Sequence, residues 1–275
     1  MNKNDIIKRS VNAFAPVIIF LVIREAAKLI AHNAVMAASA NKSVIFGFDF
    51  GTLVSFEDVT AFLQSNSIYV TAFCNVVCII IFLIMFRKDT AGEKETSAKP
   101  LEAVLSLAAS LCIAIAVSNI IHFTQLDGVS SGYRSFQENY NSKDILILII
   151  AMGIIAPVAE ELCFRGLMYR RLNLIAGRAP AMTASALCFG LIHGNVPQFA
   201  YAAVLGLFLA YFYELSGNIP VPVICHIGIN MLAAFMSAYG VLGWMYTNNM
   251  VLAGSTLVYA SIAMMLIKTM KKTKG

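Results

Sequence analysis

Apolar residues run along this 275-residue sequence in long blocks separated by short polar breaks. A helix needs about 20 largely apolar residues to cross ~30 Å of hydrocarbon. The clearest segments of that kind are 67–86, 101–121, 145–159 running on towards 172, 198–213 and 250–267. Shorter or more polar spans lie at 180–194 and 219–239. A first span is expected near 11–35, where the apolar core Val11–Ile23 is followed by Arg24, Glu25 and Lys28. The pattern predicts an all-α, multi-pass transmembrane bundle of about eight helices, forming one integral membrane domain over 1–275. The first segment also resembles a signal peptide, with Lys3, Lys8 and Arg9 ahead of a short apolar core. The small residues Ala37–Ala40 lie far beyond that core, so it is read as a retained helix.

Composition and charge sharpen this picture. Hydrophobic residues make up 59% and charged residues only 13%, against about 25% charged in ordinary soluble domains. Of the 20 Lys and Arg, 15 fall in the clusters 3–9, 87–99, 165–178 and 268–274, each beside an apolar segment. The loops 36–66, 122–144 and 240–249 carry only Lys42, Arg134 and Lys143 as cations. This asymmetry is the positive-inside pattern. It predicts that both termini are cytoplasmic and argues against nucleic acid as a partner. The compact chain with no targeting extension suggests a bacterial plasma membrane, with the lipid bilayer as partner. A short surface helix is expected within 36–66. The six cysteines all lie in apolar runs, make no CxxC pair, and read as packing residues.

Candidate chemistry is confined to three segments. In 156–166, APVAEELCFRG, Glu160 and Glu161 follow a long apolar stretch. Ionisable groups at membrane depth are costly and mark cavities or partners. Glu161 and Arg165 are four apart and can pair on one helix face, while Glu160 is turned about 100° away. Pro157 is expected to loosen the helix just before the pair. The second segment, CFGLIHGN, places Phe189 and His193 on one face, and the third, CHIGINML, places His226 and Asn230 likewise. At 1.5 Å per residue, Glu160 is roughly 22 Å from the outer start of its span, His226 roughly 10 Å from the inner start of its own, and His193 nearer 20 Å from the inner end. That arithmetic leaves open whether the three meet.

A carboxylate beside an imidazole can take a proton from attacking water, and a second imidazole with a carboxamide N–H can hold an oxyanion. The same Glu160, His193 and His226 could instead hold a divalent metal such as zinc with an open position, although no HExxH occurs. Each group alone has a plainer reading: Glu161–Arg165 as a supporting pair, His226–Asn230 as an interhelical contact, Phe189 as packing, and Gly190 and Gly194 as points of close helix approach. His32, His122 and the Arg24–Glu25–Lys28 group read as interfacial, and Glu214 as a helix end.

Taken together, Glu160-Glu161-x-x-x-Arg165, Phe189-x-x-x-His193 and His226-x-x-x-Asn230 resemble the CAAX prenyl protease type II and bacteriocin-processing (Abi) family. The resemblance covers roughly 145–240. It implies an eight-helix membrane protease whose site lies within the bundle and opens to the cytoplasmic side. It implies Glu160 as general base assisted by His193, His226 and Asn230 as oxyanion donors, and Glu161 and Arg165 as supports, with no cofactor favoured over the metal alternative. Substrates implied are peptides or membrane proteins. The rival readings are a metal-dependent protease, a non-catalytic immunity or scaffold protein, and a proton-coupled transporter. Nothing in the sequence sets the oligomeric state.

Overall fold

A computed structural model describes residues 3–45, 47–93, 99–133 and 144–272. The charged positions Lys94, Arg134, Glu138, Lys143 and Lys274 lie outside the described residues. Among the described residues the chain forms a bundle of ten helices: α1 (Lys3–Ala40), α2 (Phe56–Ser65), α3 (Ser67–Asp89), α4 (Pro100–Phe123), α5 (Ile145–Ala176), α6 (Arg178–Leu191), α7 (Val196–Ser216), α8 (Pro220–Ala238), α9 (Val241–Tyr246) and α10 (Asn249–Lys272). Seven of these, α1, α3, α4, α5, α7, α8 and α10, are long and apolar enough to cross a membrane. The protein is an integral membrane helical bundle.

The eighth expected span differs. Helix α6 has 14 residues, about 21 Å at 1.5 Å per residue, which is short of ~30 Å of hydrocarbon. It begins at Gly177 with φ 80° and gives way to a turn whose Gly194 has φ 76°. These left-handed positions are accessible to glycine without a Cβ clash, and they set the limits of the helix.

Helix α1 is longer than the 11–35 expected and runs through Arg24–Glu25–Lys28 without a break. Lys28 Nζ bonds Glu25 Oε1 at 2.8 Å, and Arg24 reaches across to another helix. Between α1 and α3 lies the expected short helix, α2, with a capping box in which Ser55 and Asp58 satisfy each other's backbone N–H groups. The Ser55 hydroxyl and the N–H groups of Ser55 and Val54 hold the Asp58 carboxyl below its ordinary value. A two-residue antiparallel ladder, Val44–Ile45 with Phe48–Asp49, precedes it.

Two apolar cores flank α5. One gathers Ala13, Val17 and Phe20 of α1 with Cys78 and Phe82 of α3, residues 162–169 and α6. The other joins α4, α7, α8 and α10. All six cysteines are free thiols, and all but Cys74 lie in these two cores.

The two ends of the bundle are chemically distinct. At one end Arg171 bonds Asp89 Oδ2 and the Asn12 carbonyl, each at 2.7 Å, Arg170 pairs with Glu93, and Arg178 Nε meets Glu214 Oε1 at 2.6 Å. Glu214 also accepts from the Tyr169 hydroxyl, so it bridges α5, α6 and α7 rather than merely ending a helix. At the other end His122 stacks on Tyr246 at 3.8 Å and bonds Asp127 at 2.7 Å.

Candidate active site

Helix α5 carries the site, and its winding is unusual. Ile149–Ile155 and Leu162–Tyr169 are π-helical, on either side of an α-helical turn Ala156–Glu161. The loosening expected at Pro157 is present as a widened helix, not as a break. The Ala156 N–H bonds the Ala151 carbonyl, five residues back. In that register the Met152 carbonyl falls to Pro157, which has no N–H. Asn230 of α8 fills the place: its Nδ2 donates to Met152 O at 2.7 Å.

The charged centre is reached one turn later. Glu161 and Arg165 are fully buried and bonded, Nη1 to Oε1, at 2.7 Å. Arg165 Nη2 donates to the Gly206 carbonyl of α7 at 2.9 Å. The same Glu161 oxygen accepts from His226 Nδ1 at 2.8 Å. A buried ion pair is tolerable only with good geometry and further hydrogen bonds, and the His226 and Gly206 contacts supply them. With Nδ1 engaged by Glu161, the ring presents Nε2 to Glu160, whose Oε2 lies 3.6 Å away. Glu161 therefore holds the imidazole at one nitrogen, and the adjacent Glu160 faces the other beyond hydrogen-bond distance.

His193 lies in the turn after α6. Its Nδ1 is 2.8 Å from the Phe189 carbonyl. A carbonyl only accepts, so Nδ1 carries the proton and Nε2 is the free nitrogen. Phe189 has more than a packing role in this arrangement. Its ring lies under the Arg165 guanidinium at 4.7 Å and meets both histidines edge-on, His193 at 5.1 Å and His226 at 5.5 Å.

Glu160, His193, His226, Asn230 and Phe189 all line a single cavity of about 380 Å³. The depth question left by the helix arithmetic is resolved by contact. Glu161 and Arg165 stand behind the cavity wall and hold His226 from outside it.

Three contributors escaped the sequence reading. Arg24, read as interfacial, lines the same cavity and donates from Nη1 to the Ile192 carbonyl at 3.0 Å, next to His193. Its signal was a cation far inside an apolar helix. Gly206 lets Arg165 approach; a Cβ there would lie 3.1 Å from Arg165 Nη2. Nothing but a lone glycine within a helix announced it. Met152 contributes only a carbonyl, which no side-chain pattern reveals. Gly190 matches the expected close approach, with a built Cβ 2.8 Å from the Phe199 carbonyl. Gly194 does not, since it has open space and is needed for its positive φ.

The fit to a metal is poor in this arrangement. Among the described residues no three His, Cys, Asp or Glu side chains gather as ligands would. Asn230 is committed to a carbonyl, and the Nδ1 atoms of both histidines are engaged.

Fold and site thus define a multi-pass helical membrane protein with a carboxylate–imidazole centre buried between its helices. Residues 142–232 match the family model of type II CAAX prenyl endopeptidase Rce1-like proteins. Over this motif-bearing stretch the chain is similar to that family of membrane proteases, in keeping with the resemblance carried by the three motifs. It is 26% identical over 180 residues to a Bacillus subtilis (strain 168) protein named "Putative membrane peptidase YdiL", covering 58% of this chain and 68% of the relative. It is 33% identical over 93 residues to "CAAX prenyl protease 2" of Homo sapiens, covering 26% of this chain and 28% of the relative. No solved structure matches.

Proposed function

We propose that the protein is an intramembrane endopeptidase of the glutamate-dependent kind, cutting peptide or membrane-protein substrates in the bilayer. The observation that carries this reading is the Glu160–His226–Glu161–Arg165 relay at the wall of a cavity, with distances of 3.6, 2.8 and 2.7 Å along it. Glu160 is the group free to take a proton from water as the water attacks a carbonyl. His193, with its free Nε2 on the same cavity, assists by holding that water. His226 is turned by Glu161 so that Nε2 faces the reacting atoms; protonated there, it donates to the developing oxyanion. Asn230 has a second amide N–H beyond the one given to Met152, and this completes the oxyanion site. Glu161 and Arg165 touch no substrate and act by positioning.

By charge asymmetry, the end carrying Arg170, Arg171 and Arg178 is the cytoplasmic end; the short α6 and the turn after it carry the chain from that end to the other between α5 and α7, so the passes are even in number and both termini lie on the cytoplasmic side. His226 is six residues into α8 from that end, about 9 Å of rise. The bond is therefore cut in the cytoplasmic half of the membrane. A bacterial plasma membrane is the setting proposed for it.

The test is cleavage by protein reconstituted in liposomes, offered membrane-tethered and lipidated peptides, with wild type beside Glu160→Gln. Loss of a general base is expected to reduce kcat by about 10²–10⁴-fold. Equal cleavage by folded wild type and Glu160→Gln sinks the assignment. Persistence of wild-type activity in a strong chelator supports the glutamate route, and abolition of it that added metal reverses supports the metal route.

A further inference from the structure

Two carboxamides on the cavity wall have no part in the Glu160–His226 relay. Helix α3 turns one face to the cavity, made by Thr71, Cys74, Asn75 and Cys78 at the i, i+3, i+4, i+7 spacing of a helical stripe. Asn75 stands between two buried thiols and is itself only 2% exposed. It lies eight residues into α3, about 12 Å of rise from Ser67. An amide at that depth ordinarily bonds a neighbouring helix, yet Asn75 has no hydrogen-bond partner among the described residues. Nor is its amide sealed into the packing: the little surface it keeps is on the cavity. A polar side chain buried without a partner is costly, so this one is held ready for something that enters the cavity.

Gln198 is set by its own turn. It is the third residue of α7, and its backbone N–H donates to Asn195 Oδ1 at 3.0 Å. A backbone N–H only donates, so the amide oxygen of Asn195 is the atom that faces it. Asn195 Nδ2 is then turned to the Gln198 side chain and donates to Oε1. With Oε1 taken, the free end of the Gln198 amide is Nε2, which has no acceptor among the described residues. Gln198 lines the same cavity as Asn75, five residues beyond His193. The charged groups of the lining are otherwise engaged: Arg24 bonds the Ile192 carbonyl, and Glu160 faces His226.

A peptide brings one N–H and one C=O per residue into such a cavity. In a helical segment those groups are already paired. In an unwound segment at membrane depth they need partners from the protein. We propose that Asn75 and Gln198 are substrate-binding residues, one from α3 and one from α7, that hydrogen-bond the backbone of an extended peptide presented to Glu160. Asn75 matches a whole peptide group, because a carboxamide both donates and accepts. Gln198 matches a carbonyl, because only its donor end is free. Both read backbone and not side chain, so they select unwound segments over helical ones. This rests on the reading of the cavity as the proteolytic site.

The test uses the liposome-reconstituted protein and the tethered peptide that wild type cuts fastest. The same peptide is made with single peptide groups near the cut replaced in turn by trans-alkenes, which keep the shape and remove both N–H and C=O. Asn75→Leu and Gln198→Met are each expected to raise KM about tenfold, the worth of about one hydrogen bond. Turnover should be nearly unchanged, as loss of uniform binding requires. In wild type, one alkene position should raise KM by a similar factor and have no further effect in Asn75→Leu. A different position should behave in that way in Gln198→Met. Because Asn75 has no partner in the protein, Asn75→Leu should melt no lower than wild type, whereas a structural asparagine would lower the melting temperature and leave KM unmoved. Wild-type KM in either variant overturns the part assigned to that residue. So does an alkene penalty that is the same with and without the amide, or a loss of kcat at constant KM. Those results leave wild-type cleavage standing; a wild type that cuts no peptide removes the proteolytic reading and this binding role together.

Discussion

Asn230 Nδ2 donates to the Met152 carbonyl at 2.7 Å, the acceptor that the π winding of α5 turns towards Pro157 and its missing N–H. A helix defect in one element is thus repaired by the side chain of another, and the repair sets where Asn230 stands in the cavity. Asn230→Ala is expected to lower kcat by about 10²–10³-fold through loss of an oxyanion donor. It also removes an interhelical bond worth about 0.6 kcal/mol in a membrane bundle. Adding Pro157→Ala returns a backbone N–H to α5, so the double variant should recover thermal stability without recovering turnover. Recovery of both would show that Asn230 acts through the helix alone.

Glu161 holds Arg165 and His226 at once. Glu161→Ala leaves Arg165 charged, buried and unpaired, a loss of about 3–5 kcal/mol. Little folded protein is expected in a detergent unfolding assay. Glu161→Leu combined with Arg165→Met removes both charges and should restore much of the folded fraction. The restored protein should remain inactive, because His226 Nδ1 then has no acceptor to orient it. Activity in the double variant would remove the positioning role.

Three glycines near the site predict a ranking. A methyl at Gly190 would lie 2.8 Å from the Phe199 carbonyl, a backbone atom that cannot step aside. At Gly206 it would lie 3.1 Å from Arg165 Nη2 and 3.1 Å from Ala186 Cα. At Gly194 it meets nothing within 4 Å, but φ is 76°, which costs about 1–2 kcal/mol for a residue with a Cβ. Gly190→Ala should be the most destabilising, and Gly194→Ala the mildest. Gly206→Ala should fall between them in stability yet show the largest loss of activity per unit of stability lost, because it displaces Arg165. Melting temperatures beside cleavage rates check all three.

The sequence made the bundle and the motif faces legible because both rest on short-range rules. Apolar blocks of membrane length mark spans, and i, i+4 spacing puts Phe189 with His193 and His226 with Asn230 on single faces. What it concealed depends on how separate helices meet. That two successive glutamates face the two nitrogens of one imidazole follows from the π turns around Ala156–Glu161, which helical spacing alone does not foretell. Phe189 looked like packing because an aromatic in an apolar helix has no local mark of the three charged or polar groups around it. The short α6 was counted among the spans because its apolar residues run on into the Leu191–Gly194 turn, where the helix gives way to a glycine of positive φ.

Arg24 gives the last test. Its Nη1 donates to the Ile192 carbonyl at 3.0 Å from a different helix, immediately before His193. Ile192 and His193 lie past the last turn of α6, where carbonyls lack an intrahelical partner. Arg24 therefore holds the turn that presents His193 to the cavity. A hydrogen bond from a charged donor contributes about 1.5–3 kcal/mol, so Arg24→Met should lower kcat/KM about tenfold or more while leaving the bundle folded. Lysine lacks the second donor of the fork, and Arg24→Lys should recover only part of the rate. If Arg24→Met cleaves at the wild-type rate, the turn is held by α6 and α7 alone, and Arg24 belongs to the cavity wall without a part in the chemistry.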